Sequence, residues 1–339
     1  MNKQNFLLIG WFGVALTLLL FSGCHHNQHD TSKLTPTTVD YSQVNVPQFS
    51  TDSAMMYLSE QLAFGPRTPG SKAQSRCADY LVTKMRQWCD SVVVQEFNTT
   101  LWDGSVVKGK NIIASIEPGD TYSSQRILLA AHWDSRMWAD HDSDQNNHHK
   151  PIAGANDGAS GVATLMEMAR GISAQRPNVG IDILFFDVED QGTPEWADSY
   201  ADNTWCKGSQ YWAQHPHRPY YTALYGVLFD MVGTHNARFT KEEVSCQYAS
   251  STLNKYWNVA QSLGYGNIFQ DLKTPPILDD HMYINQIIGI PTIDIVQNSE
   301  GCNFFPFWHT IEDDLDIIDA ETMKLVATVT LKAIYGDYK

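Results

Sequence analysis

Positive charge is scarce in this 339-residue chain. Lysine and arginine together number 23 against 38 aspartates and glutamates, a formal net charge of −15. Such a surface repels a phosphate backbone, so nucleic acid is excluded as a partner. Charge of either sign is also sparse, at 18% of residues, while 43% are hydrophobic. That balance excludes disordered and coiled-coil classes. Cysteines number six and none forms a CxxC pair, which argues against a structural zinc knuckle. No GxSxG, HExxH or GxxxxGK[ST] motif occurs; Gly158-Ala159-Ser160-Gly161 has the wrong spacing for a serine elbow. No repeat of 20–50 residues is visible, and low-complexity sequence is confined to the region before residue 51. Tryptophan, by contrast, is abundant, with 10 residues, enough to line a pocket as well as fill a core.

Residues 1–23 carry one charge, Lys3, followed by an apolar run from Phe6 to Phe21 that ends in Phe21-Ser22-Gly23-Cys24. This resembles a bacterial lipoprotein signal peptide with Cys24 as the lipidated residue. The run is short for a full span, although an ordinary transmembrane anchor is the alternative. Either way the mature domain is expected outside the cytoplasm; the lipoprotein reading places it in the cell envelope, lipid-anchored and periplasm-facing or on the outer membrane, with membrane contact only through the anchor. Residues 24–50 are polar and read as a flexible tether, with His25, His26 and His29 as solvated linker residues. Cys77, Cys89, Cys206, Cys246 and Cys302 remain beyond it. A disulfide is permitted in that compartment, but spacing selects no pair.

Residues 51–339 read as one domain. Helical spacing of apolar residues marks Thr51–Phe64, the stretch from Cys77 to Trp88, Gly161–Ile172, Ser251–Leu263 and Glu321–Tyr335. Strand-like runs lie at 92–94, 111–116, 126–131, 181–188, 223–229 and 291–296. Strands alternating with helices predict a single-domain α/β fold, a mixed, mostly parallel sheet flanked by helices.

Three of these runs end in residues of metal-binding type: His132, the pair Glu189-Asp190, and Asp230. Sites in open α/β sheets lie at the carboxyl ends of strands. Asp157 sits in the turn Gly154-Ala155-Asn156-Asp157-Gly158 before a helix, and His309 precedes the acidic run Glu312-Asp313-Asp314. Taken singly, each acid reads as a helix cap or turn residue, and His132 as a buried histidine. His141, His148 and His149 read as solvated loop residues. Asp157, Asp190 and His309 together offer zinc three ligands with a position left open, and Glu189 is free to move protons. Past the end of a strand the chain turns, so Glu189 and Asp190 can both reach one site.

The order and local wording resemble zinc enzymes of the M28 aminopeptidase-like clan. The matching pieces are Phe64-Gly65-Pro66-Arg67, Ala131-His132-Trp133-Asp134, Gly154–Gly158, Phe186-Asp187-Val188-Glu189-Asp190, Phe229-Asp230-Met231 and His309-Thr310. Within the clan, Trp308 before the last ligand, Asp279-Asp280-His281 and Trp196 resemble the animal-type glutaminyl cyclases. That resemblance implies one Zn2+ ion on Asp157, Asp190 and His309, and proton transfer by Glu189 with Asp230 and Asp279 in support. It implies a pocket shaped by Trp196, Phe304 and Trp308. The expected substrates are peptides or proteins with N-terminal Gln, closed to pyroglutamate with release of ammonia. Animal cyclases have Glu-Glu where this chain has Glu189-Asp190, so the shorter Asp190 requires a closer backbone. Two other readings stay open: a dinuclear aminopeptidase using His132, Asp157, Asp190, Asp230 and His309, and a non-enzymatic surface lipoprotein that only binds.

Overall fold

A computed structural model describes residues 39–120, 123–299 and 304–339. The signal peptide, Cys24, the first part of the tether and Cys302 lie outside the described residues. Among those described, the strands in chain order are β1 (Ser91–Thr100), β2 (Val106–Ile116), β3 (Arg126–His132), β4 (Gly180–Phe186), β5 (Gly226–Asp230), β6 (Phe239–Glu242), β7 (Phe269–Thr274) and β8 (Thr292–Val296). Six of them form one sheet in the order β1-β2-β4-β3-β5-β8, and β6 and β7 pair separately. β4, β3, β5 and β8 run parallel; β1 and β2 continue the sheet antiparallel.

Both faces of the sheet are covered, and the strands show it by alternation. Ile127, Leu129 and Ala131 of β3, with Ile181, Ile183 and Phe185 of β4, enter the larger hydrophobic layer. Leu128, Ala130, Leu184 and Phe186 enter the smaller one. Strands buried on both faces read as continuous apolar runs. The helices are α1 (Thr51–Leu62), α2 (Lys72–Met85), α3 (Gly161–Ala174), α4 (Lys207–Gln214), α5 (Glu243–Tyr248), α6 (Ser250–Ser262), α7 (Asp280–Tyr283) and α8 (Ala320–Asp337). α1, α2, α3, α6 and α8 supply the larger layer, through residues such as Leu58, Leu81, Leu165, Trp257 and Val326. Trp212 and Ala213 of α4 supply the smaller. Ser50 and Ser71 start α1 and α2 by accepting hydrogen bonds from the backbone N–H of Ser53 and Gln74, which places the second helix start earlier than its apolar spacing suggests.

Two differences from the sequence reading have physical causes. The tether does not extend to residue 50, because Val44 and Phe49 are buried in the main core and Lys332 Nζ donates to the Val44 carbonyl at 2.6 Å. Isolated apolar residues in a polar tract suffice to dock it. α4, β6 and β7 were not anticipated, being short and of mixed polarity. Among the described residues no helix is long and apolar enough to cross a membrane. Cys77, Cys89, Cys206 and Cys246 are free thiols.

Candidate metal centre and active site

The parallel strands end together, and the chain reverses sharply there. Val188, two residues past β4, has φ 58°, and Met231, next after β5, has φ 50°. A β-branched residue in the left-handed region is strained, at a cost of roughly 1–3 kcal/mol, and such strain gathers at functional sites. The turn at Val188 breaks strand alternation and lets Glu189 and Asp190 serve one cavity, as both line it.

Buried polar residues then hold the turns. Arg67 of the Phe64–Arg67 motif donates from Nε to the Trp133 carbonyl (2.9 Å), from Nη1 to that of Ala153 (2.6 Å) and from Nη2 to that of Gly154 (2.8 Å). Asp313 accepts from the backbone N–H of Asn156 and Asp157 at 2.7 and 3.2 Å. Asp134 accepts from the N–H of Glu189 and Asp190 at 3.1 and 3.2 Å. Gly158 has no space for a side chain, since a Cβ would lie 2.3 Å from His132 Nε2.

The result is a convergence of donors. His309 Nε2 lies 2.9 Å from Asp190 Oδ1 and 3.7 Å from Asp157 Oδ2, and the three ligand atoms sit within 4.8 Å of one another. Asp190 Oδ2 and His309 Nδ1 are buried without a hydrogen-bond partner. Burial, with Asp157 beside it, drives the Asp190 carboxyl well above its usual range. Burial, with Arg136 near, keeps the His309 imidazole neutral. Buried anions short of a counter-charge and a neutral imidazole fit a divalent metal, which needs deprotonated ligands.

Glu189 lies beside this triad. Burial raises its pKa well above the ordinary value; His132 works against that rise, and Asp279 and Asp190 add to it. Its Oε1 accepts from the Cys206 thiol at 3.2 Å. Burial and Asp157 push Asp230 up to about 7. Asp279, which caps α7, is raised mainly by burial. His132 bridges two acids, with Nε2 at 2.9 Å from Asp157 Oδ1 and 3.2 Å from Asp230 Oδ1. Burial disfavours its charge, but the carboxylates of Asp134, Asp157 and Asp230 outweigh that and leave the imidazole well above its usual pKa.

All of these acids except His132's partner Asp134 line a cavity of about 250 Å³, walled by Trp205, Met231, Ile277, Leu278, Phe304 and Trp308. Phe304 and Trp308 thus stand in the cavity lining, and Trp196 does not. Its ring packs edge-on against Trp102 and Trp138, at 5.4 and 6.3 Å, outside the cavity lining. Trp205 takes the wall position, stacked 6.0 Å from His309 with the planes 9° apart. Trp205 reaches it because Gly192 leaves room: a Cβ there would lie 1.8 Å from the indole. The lone Gly192 in an irregular loop was the available signal. His141 is also more than a solvated loop residue, since its ring packs 4.4 Å from that of Trp308.

The peptidase family M28 model matches residues 111–334, and the chain belongs to that family. A solved glutaminyl cyclase from Bacteroides thetaiotaomicron, bound to N-acetylhistamine, is 46% identical, with a TM-score of 0.82 over 86% of this chain and 99% of that one. The glutaminyl cyclase from Tannerella forsythia is 47% identical, with a TM-score of 0.82 over 85% and 99%. The glutaminyl-peptide cyclotransferase of Gloydius blomhoffii is 24% identical over 63% of this chain and 61% of its own length. The chain spans about three fifths of the length of the first curated relatives it matches, 61% and 63%. Within family M28 the chain is similar to glutaminyl cyclases and, equally, to a leucine aminopeptidase precursor from Bacteroides thetaiotaomicron, 46% identical with a TM-score of 0.82.

Proposed function

We propose that the protein is a zinc-dependent glutaminyl-peptide cyclotransferase. The observation that carries this is a buried carboxylate of raised pKa, Glu189, beside a metal-type triad in the lining of a small aromatic cavity. A cavity of about 250 Å³ suits a single compact side chain rather than an extended peptide. Asp157, Asp190 and His309 would hold one zinc ion. Bound there, zinc supplies Lewis acidity toward the γ-carbonyl of the substrate glutamine.

The nucleophile is the substrate's own α-amine, so the protein needs none. Nitrogen bonds to the side-chain amide carbon, the bond from that carbon to the amide nitrogen breaks, and ammonia leaves. Glu189 takes a proton from the attacking amine and returns it to the departing nitrogen. Its raised pKa suits both directions of transfer. Asp230 and Asp279 add negative charge around it and keep a proton within the network. Trp205, Phe304 and Trp308 enclose the side chain and exclude water, whose attack would yield glutamate instead.

A second reading has its own observation. His132, Asp157 and Asp230 form another group with ligand atoms within 4.8 Å, the inventory of a dinuclear aminopeptidase. Assaying a Gln-peptide beside a Leu-anilide, with the metal counted, decides between them. Ammonia release, no anilide cleavage and one zinc per chain are expected; anilide cleavage with two ions overturns the cyclase reading. The proposal extends to a lipid anchor at Cys24, in the cell envelope. Cys24→Ala should free the protein from the membrane fraction, and continued retention would refute lipidation.

A further inference from the structure

Arg136 joins three parts of the site that are far apart in sequence. Its Nε and Nη2 donate to Asp140 Oδ1 and Oδ2 at 2.7 and 2.6 Å, a two-pronged pair buried from solvent. Nη1 donates to the Asp190 carbonyl at 3.2 Å and lies 3.6 Å from Asp190 Oδ1. Asp140 Oδ1 in turn faces His309 Nδ1 at 3.7 Å, and Asp140 Oδ2 accepts from the Glu195 N–H at 3.0 Å. The guanidinium also lies over two indoles, 4.7 Å from the Trp205 ring centre and 5.5 Å from that of Trp138. One side chain thus touches one member of the triad directly, reaches a second through Asp140, and backs the aromatic wall.

We propose that Arg136 and Asp140 are positioning residues for the metal centre, setting both its affinity and the shape of the pocket wall. This rests on the reading of Asp157, Asp190 and His309 as ligands. An imidazole ligand is oriented through its second nitrogen, and a carboxylate facing that nitrogen raises its basicity. Asp140 faces that nitrogen at 3.7 Å, longer than a hydrogen bond, so it acts on the imidazole by charge, and Arg136 holds Asp140 by a geometry that a planar fork satisfies and an ammonium does not. The same guanidinium lies over the Trp205 ring, 4.7 Å from its centre. Lysine would keep the charge and lose the fork.

A merely structural ion pair makes a different prediction, and the protein contains a control. Arg126 and Asp182 form a second buried pair at the start of the same strands, away from the cavity. The test is zinc affinity of the full chain, by competition with a chromophoric chelator, in wild type, Arg136→Lys, Asp140→Asn and Arg126→Lys. Circular dichroism confirms folding, and kcat and KM are measured on a Gln-peptide. Arg136→Lys and Asp140→Asn should each weaken zinc binding about 10–100-fold. Arg136→Lys should also raise KM, because Trp205 loses its backing. Arg126→Lys should lower Tm and leave zinc affinity within about twofold, as expected for separated sites. Wild-type affinity in both site variants overturns the inference, as does an equal loss in Arg126→Lys. Should Arg136→Lys not fold, Asp140→Asn decides alone. Absence of zinc binding by the wild-type protein overturns the ligand reading itself, and is seen before any variant is made.

Discussion

The two ends of the parallel strands carry the same kinds of residue arranged to opposite effect. At the amino end, Asp182 of β4 is buried and fully paired. Its Oδ1 accepts from Ser115 Oγ at 2.6 Å and Arg126 Nη2 at 2.8 Å, and its Oδ2 from Arg126 Nε and Tyr221 OH, the latter at 2.8 Å. Burial would raise that carboxyl, but Arg126 holds it below the usual range. At the carboxyl end, Asp190 and Glu189 face other acids, and both are pushed up. Asp190 Oδ2 has no partner at all. Satisfied acids stabilise a fold; unsatisfied acids hold ligands and move protons. Burial is common to both ends, so it is the count of donors that separates a structural charge from a chemical one.

The difference can be broken by exchanging what each end loses. Glu189→Gln keeps the shape of the side chain and removes its basicity. Turnover should fall about 10²–10⁴-fold or more, with zinc content and Tm unchanged. Retained turnover in an ammonia-release assay would show that the two ends do not differ in chemistry. Arg126→Leu is the counterpart. It leaves Asp182 charged and short of two donors, which should cost about 3 kcal/mol in urea unfolding. The kcat of the folded protein should stay as in wild type; a matching loss of kcat would mean the amino end also serves the reaction.

This separation was partly readable from the residues alone. β3, β4, β5 and β8 stand out as apolar runs because both their faces are buried. Their polar ends stand out for the same reason, so His132, Glu189, Asp190 and Asp230 could be named as a group. Asp182 showed only as an interruption in the run of β4, because its partners Arg126, Ser115 and Tyr221 come from other elements. Trp205 and Trp196 share one loop with no periodicity to order it. Which of them faces the cavity depends on contact with Gly192, a packing fact that spacing does not encode. Arg67, Asp134 and Asp313 appeared in or beside motifs, but their work is to hold backbone groups, which only the folded chain displays.

The smallest expected effect sharpens the comparison through pH. His217 lies at the amino end, with Nε2 4.0 Å from Asp182 Oδ1 and its ring 4.6 Å from that of Tyr221. Burial lowers its pKa from 6.5 to about 4; Asp182 opposes the shift, while Arg218 and Arg126 assist it. Asp182 is already saturated with donors, so it draws little charge onto the imidazole. Between about pH 6.5 and 4 the unfolded chain therefore binds a proton that the folded chain refuses. Stability present above pH 6.5 should fall with pH across that window and level off near pH 4. In His217→Phe that part of the slope should vanish in urea titrations taken from pH 7 to pH 4.5. An unchanged slope would assign the acid sensitivity to other groups, and the amino end would no longer stand as the silent half of the sheet.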